Sequence, residues 1–385
     1  MMRCNCLCRK HRLHTILFLL ILLPFLVGVG ILLRSHNGID LSHVHGNEKR
    51  EGTRRDLKPW GNLERGNEGD VVSASDVQFA KQWEKSQETE ANVKAGDVTK
   101  RPDKKESKSL DDLLALPPDV DDSLVVYNRV PKCGSRSVLW IVRKNAKKFG
   151  FKYKHSMEFW KFRQNEKDQE KTVREIVNLP RPALFDMHVH FLNFTKFGEL
   201  RPVYFNIIRD PISRLVSSYY FNRFGDSINK YMVSKFKGTD EERNQTFDEC
   251  VLLNKTECQL GRAFYIVPFF CGQDARCREP SQWTLREAIR NALNEYVFVG
   301  ILEEMNASMK ILEVLLPRYF QGASKYLEYL ETQGAQQNMH AIKKSEAPPS
   351  EKVVEIMKKR LAIEYEFYNT IRDRFSVIKE QLGIS

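Results

Sequence analysis

Apolar and polar positions divide this chain into distinct stretches. Residues Thr15 to Leu33, TILFLLILLPFLVGVGILL, form an uncharged apolar run, about the length that crosses a hydrocarbon core as a helix. From His36 to about Pro118 the sequence turns polar, charged and poor in aromatics, as in EKREGTRRDLK, and lacks the apolar surface to fold alone. Beyond Asp121 periodic patterns appear. Leu124 to Val130 is a β-rich run bounded by Asp122-Ser123 and Pro131. Val138, Ile141, Val142, Ala146 and Phe149 then recur at helical spacing and stop at Gly150. Pro202-Val-Tyr-Phe-Asn-Ile-Ile208 reads as another strand, and a helix opens at Pro211 with Leu215, Tyr219 and Phe221 among its apolar positions. Tyr296 to Leu302 reads as a further strand. Ser350 starts a long helix with Val354, Met357, Leu361, Tyr365, Tyr368, Ile371, Phe375 and Ile378 on one stripe, a core or subunit-interface face that ends at Gly383. There is no internal repeat.

The flanks of the first apolar run give it a direction. Arg3, Arg9, Lys10 and Arg12 precede it without an acidic residue, and only Arg34 follows before the polar stretch. This bias places the short tail in the cytoplasm and the rest in a lumen. A cleavable signal peptide would have a shorter apolar region ending at small residues, whereas this run ends Ile-Leu-Leu-Arg, the form of a retained anchor. The expected organisation is a tail over 1–14, an anchor over 15–33, a flexible lumenal stem over 34–120 and a globular domain over 121–385. Cys4, Cys6 and Cys8 sit beside the membrane, either palmitoylated or free thiols.

Two further facts fit a lumenal address. Cys250 with Cys258 and Cys271 with Cys277 lack the short spacing of a zinc knuckle, and in an oxidising lumen they read most simply as two local disulfides. Glycosylation sequons occur at Asn193, Asn244, Asn254 and Asn306, the first within an apolar stretch. The chain is 42% hydrophobic, enough for a core, and its net charge of +11 suggests an acidic partner: nucleic acid, membrane surface or polyanionic sugar. The lumenal topology argues against nucleic acid.

Between the first strand and helix lies Pro131-Lys132-Cys133-Gly134-Ser135-Arg136-Ser137. A loop with Gly, Ser and Lys at a helix N-terminus is a place to hold phosphate, because backbone N–H groups and the helix dipole favour an anion. A Walker motif is absent, which counts against an NTP hydrolase or kinase. By itself the segment reads equally well as an ordinary strand–helix turn. The second unit ends its strand in Arg209-Asp210-Pro211, and Arg209 with Ser217 can clamp a second phosphate, Arg as a fork and Ser as a hydroxyl donor. Two strand–loop–helix units with phosphate ligands suit a nucleotide phosphorylated at both ends.

The P-K-x-G-S-x-S loop together with I-I-R-D-P-x-x-R-x-x-S resembles the two elements that bind 3′-phosphoadenosine 5′-phosphosulfate (PAPS) in Golgi sulfotransferases. The resemblance covers roughly Val125 to Leu382 and is closest to the glycosaminoglycan 2-O-sulfotransferases. Cys-Gly-Ser-Arg in the loop, His188-Val-His-Phe-Leu-Asn-Phe194 and the Cys271-Gly-Gln and Cys277-Arg-Glu-Pro280 segments look like its uronyl 2-sulfotransferase and Pipe-type branch, with the heparan sulfate branch more distant. It implies a three-layer α/β fold with a parallel sheet like that of nucleotide kinases, a Golgi membrane address, PAPS as co-substrate without a metal, and a glycosaminoglycan acceptor, dermatan or chondroitin sulfate favoured. A homotrimer is implied in the same way.

Carried onto this sequence, Lys132, Gly134, Ser135, Arg136 and Ser137 match the loop for the 5′-phosphosulfate, and Arg209 and Ser217 the pair for the 3′-phosphate. Lys343 and Lys344 fall where the family has a basic loop over the nucleotide. Arg129 matches a substrate-side arginine. After Arg223 to Asp226 this chain has Asn229, Lys230, Lys235 and Lys237 where the heparan branch has arginines. His188 matches the catalytic histidine. A sugar hydroxyl is a weak nucleophile, and an imidazole is suited to take its proton during attack on sulfur; Lys132 would neutralise charge on the departing phosphate. Heparan-type members have a second histidine where this chain has Asp186, a candidate for orienting an imidazole. Read without the resemblance, His188-Val-His190 is a half-buried strand with satisfied histidines. A catalytically inactive glycosaminoglycan-binding protein on the same fold is the competing reading, and an intact loop, Arg209, Ser217 and His188 argue against it.

Overall fold

A computed structural model of the chain describes residues 116–158, 161–225, 235–332 and 348–384. The apolar run, the stem as far as residue 115, Lys343, Lys344, Asn229 and Lys230 lie outside these residues. Five strands form one sheet: β1 (Val120–Asn128), β2 (Lys152–His155), β3 (Ala183–Met187), β4 (Arg201–Ile208) and β5 (Tyr296–Ile301). Their order is β2-β3-β1-β4-β5 and every pairing is parallel. This is the α/β sheet expected from the sequence. The three central strands are apolar runs with few exposed positions, because helices cover both faces of such a sheet. Chain connections leave β1 toward β2 and leave β4 toward β5, so the strand order reverses between β1 and β4. The crevice outside the carboxyl ends at such a reversal is where open α/β sheets bind ligands.

Helix α1 (Ser135–Phe149) buries Val138, Leu139, Ile141 and Val142 and stops at Gly150, whose φ of 70° is the left-handed cap expected there. Helix α2 (Glu166–Val177) leads to β3, and α3 (Pro211–Phe224) follows β4 with Asp210 capping it by accepting from Ser213 N. The first strand begins four residues before the apolar pattern, since Val120 and Asp121 already pair with Arg201 and Pro202 of β4. The long C-terminal helix expected after Ser350 is two helices, α9 (Glu351–Arg360) and α10 (Ala362–Gln381), broken at Leu361, whose φ and ψ of −101° and 24° are not helical. The two pieces serve different cores. Val353 and Met357 pack with Tyr219 and Phe247, and Phe367, Ile371 and Phe375 pack in the main core under the sheet.

Between α3 and β5 lie α4 (Phe247–Leu252), α5 (Ile266–Cys271) and α6 (Gln282–Asn294), with disulfides Cys250–Cys258 and Cys271–Cys277. After β5 come α7 (Met305–Leu315) and α8 (Ala323–Thr332). The side chain of Glu364 on α10 reaches the start of α5 and accepts from the backbone N–H groups of Tyr265, Ile266 and Val267 at 2.8–3.0 Å. Burial raises its pKa to about 6. Three donors to one buried carboxylate fix α5 against the C-terminal helix. Through α5 this anchor extends to the site, because Phe269 O accepts from Phe191 N and Gly272 O faces His190 Nδ1.

Candidate active site

The parallel sheet brings Arg129, His188 and Arg209 to one edge, since each is the first residue beyond β1, β3 and β4 respectively. A buried polar cluster stiffens the sheet beneath them. Asn128 Oδ1 accepts from Asn206 Nδ2 and Tyr296 Oη, both at 3.0 Å, and Asn206 Nδ2 also reaches Asn128 O at 2.7 Å. These bonds cross β1, β4 and β5, so the strand ends that carry the site are held in fixed relation.

The loop after β1 is strained in the way a close backbone approach requires. Lys132 has φ of 68° and Gly134 φ of 75°, a region that side chains other than glycine rarely adopt. A Cβ at Gly134 would lie 2.5 Å from Leu302 Cδ1, so the end of that side chain would have to shift as well. Cys133 is buried beneath the loop, and burial pushes its thiol up to about 12, which makes it an inert filler. Gly134 is the N-cap of α1 and supplies no side-chain cap, and the first turn carries no acidic residue. The helix N-terminus with Ser135, Arg136 and the buried Ser137 is therefore suited to an external anion. Lys132 Nζ rests 4.0 Å from the ring centroid of Phe221 on α3, a cation–π contact between the loop after β1 and α3.

The second element is equally ordered. Ser217 is buried on α3. Asp210 is held from three sides: it caps α3, its N–H donates to Glu303 at 2.9 Å, and Tyr365 Oη donates to its carboxylate at 2.8 Å. These contacts define the backbone at Arg209, which is half-buried at the strand end. Lys235 and Lys237 are exposed on the chain beyond α3.

His188 and His190 differ in their surroundings. β3 ends at Met187, so neither lies on a regular strand, contrary to the half-buried strand read from the pattern. The terminating residue is where the chain leaves the sheet over its ligand edge. His188 is half-buried and its Nδ1 lies 2.8 Å from Arg129 O. A carbonyl only accepts, so Nδ1 carries the proton and the lone pair is on Nε2. Burial and then the Arg129 charge lower its pKa to about 3, so the imidazole is neutral at physiological pH. His190 is buried, its Nδ1 3.2 Å from Gly272 O and its ring packed on Phe269 at 4.8 Å. It bridges two segments, and its backbone bonds Phe162 and Gln273 as well.

Arg129, matched in sequence to a substrate-side arginine, has its guanidinium buried here. Its Nε is 2.6 Å from Asp186 Oδ1. Asp186 is fully buried and also takes Tyr153 Oη at 2.5 Å and His155 Nδ1 at 3.0 Å. Sequence reading did not assemble this group. The signal was present only as alternation, Tyr153 and His155 two apart on β2, and needed the pairing His155↔Asp186 between β2 and β3 to acquire meaning.

Among the sequons, Asn193 and Asn244 are exposed. Asn254 and Asn306 are half-buried, with hydrogen bonds to Arg360 and Glu328. The apolar stretch around Asn193 does not bury it, because the residue caps a short helical turn by accepting from Thr195 N.

The sulfotransferase family model matches residues 120–369, which spans β1 to the middle of α10. The chain belongs to the sulfotransferase family. Uronyl 2-sulfotransferases of Mus musculus and Homo sapiens are each 41% identical over 264 residues, covering 68% of this chain and 64% of theirs. The heparan sulfate 2-O-sulfotransferase 1 of Xenopus laevis is 34% identical over 270 residues, covering 68% of this chain and 73% of its own. This member of the sulfotransferase family thus matches the uronyl 2-sulfotransferases over less than two thirds of their length. The matched segment contains the Lys132 loop, His188 and the Arg209–Ser217 element.

Proposed function

We propose that this chain transfers the sulfo group of PAPS to the 2-hydroxyl of a uronic acid in a glycosaminoglycan, with dermatan or chondroitin sulfate as acceptor. One observation carries the reading: His188, just beyond the carboxyl end of β3, has its Nδ1–H on Arg129 O, which leaves the imidazole lone pair on Nε2. The names of the relatives support the acceptor class.

PAPS supplies the sulfo group and an in-line leaving phosphate. The Ser135 end of α1 and the loop N–H groups hold the 5′ side, and Arg209 and Ser217 the 3′-phosphate. Lys132 would offset charge on the leaving oxygen. His188 Nε2 takes the hydroxyl proton as the oxygen–sulfur bond forms, and the imidazolium is held by Arg129 O. The full chain, in detergent with labelled PAPS and a panel of desulfated glycosaminoglycans, is expected to label dermatan or chondroitin more than heparan. Labelling of none would contradict the reading.

The same proposal places the chain in the Golgi membrane as a single-pass protein, anchored at 15–33, with stem and domain in the lumen, as a homotrimer. The apolar run, its basic N-terminal flank and the two disulfides support this address. A C-terminal tag should be protected from protease in intact microsomes. Digestion without detergent would overturn the orientation.

A further inference from the structure

We propose that Asp186 is a positioning residue for the base: it fixes the Arg129 guanidinium and thereby the main-chain carbonyl that holds His188. The inference rests on the reading of His188 as the base. Asp186 gathers three strand ends at one buried carboxylate, Arg129 just beyond β1, Tyr153 and His155 on β2, and its own place as the penultimate residue of β3.

The route from Asp186 to His188 is short and made of measured contacts. Arg129 is held at its side chain by Asp186, 2.6 Å away. It is held at its backbone by N–H donation to Met187 O at 2.9 Å, and it offers its own carbonyl to His188 Nδ1 at 2.8 Å. With its side chain ion-paired and its N–H bonded, Arg129 has less freedom to turn its carbonyl than with either tie alone. Release of the side chain leaves one anchor, and the residue can then turn about its φ and ψ. His188 would lose the acceptor that selects its tautomer, and the lone pair would no longer be confined to Nε2. A general base displaced by about 1 Å from its proton loses on the order of 10²-fold in rate.

A purely structural role is the alternative. Asp186 would then only neutralise a buried arginine, since an unpaired buried charge destabilises strongly whereas removal of both partners is often neutral. Two variants separate the roles. Asp186→Asn removes the anchor and leaves the cation. Asp186→Asn combined with Arg129→Met removes both charges, so the melting transition should return toward that of the wild type. Positioning predicts that kcat for desulfated dermatan falls roughly 10–100-fold in both variants, while affinity for adenosine 3′,5′-bisphosphate changes less than about two-fold, within the range of non-specific effects. It also predicts that the ¹⁵N spectrum of His188, labelled and identified by its absence in His188→Gln, changes from a single Nδ1–H tautomer to a mixture.

Turnover that recovers with the melting transition in the double variant overturns the proposal. So does an unchanged His188 tautomer in either variant, and so does loss of the folded state in both. The ¹⁵N measurement needs no turnover. An inactive wild type would therefore sink the functional reading, and the spectra would still decide whether Asp186 positions His188.

Discussion

His188→Ala is expected to fold and to bind adenosine 3′,5′-bisphosphate as the wild type does, while kcat falls by about 10²–10⁴-fold, the usual contribution of a general base. The expectation follows from where the side chain sits. Its Nδ1 bonds the backbone carbonyl of Arg129, just beyond β1, and its ring meets Phe162 edge-on at 6.2 Å, so its loss removes little packing. On the proposed reading the donor phosphates are held elsewhere, at α1 and α3. His190→Ala should act in the opposite sense. That imidazole is buried between Gly272 O and Phe269, and its removal lowers the melting temperature more than it lowers kcat in the protein that remains folded. The pH profile adds a second reading. With its folded pKa lowered to about 3, His188 is neutral and competent well below pH 6.5. Its own acid limb in kcat/KM for the free enzyme is thus expected below pH 5. A limb near pH 6.5 that disappears in His188→Ala would contradict this electrostatic account, and unimpaired turnover in His188→Ala would reassign the base.

Arg209→Ala is expected to weaken PAPS and adenosine 3′,5′-bisphosphate binding and to leave acceptor affinity nearly unchanged. Hydrogen bonds to charged groups contribute about 1.5–3 kcal/mol, which corresponds to roughly 10–150-fold in Kd. The neighbouring backbone is held by Asp210, through Ser213 N, Glu303 and Tyr365 Oη, none of which the substitution touches. The variant therefore tests a phosphate contact and not the stability of the β4–α3 turn. Calorimetric titration with adenosine 3′,5′-bisphosphate measures it directly, and unchanged affinity would move the 3′-phosphate site elsewhere.

The parts of the fold visible in the sequence are those whose pattern is local. β4 and β5 are buried apolar runs bounded by charge or turn residues, and α1 has its stripe and its glycine stop. The break at Leu361 was not visible, because apolar residues continue at helical spacing through it. What changes there is the partner, from the cluster around Phe247 to the core around Phe270, and that is a tertiary fact. The β2 strand has only four residues and a mixed polar pattern, too short for alternation to identify.

The site divides along the same line. The Lys132 loop and Arg-Asp-Pro are contiguous, and their chemistry follows from residue type at a strand–helix junction. The Asp186 group is spread over three strands. Arg129 had a sequence match that pointed toward substrate, whereas its guanidinium is buried against a carboxylate that only strand register brings near. Glu364 is similar: nothing in a helical stripe shows that one acidic member caps a helix ninety-seven or more positions away, as its bonds to Tyr265, Ile266 and Val267 do.

The central claim is the position of sulfation, and product analysis tests it most directly. The full chain is incubated with ³⁵S-labelled PAPS and fully desulfated dermatan, the product is digested to disaccharides, and the labelled carbon position is assigned. Label on the 2-hydroxyl of the uronic acid, abolished in His188→Ala and retained in Lys359→Ala, a change at an exposed position of α9, is the result expected here. Label on the hexosamine, or no transfer to any uronic acid, would contradict the account.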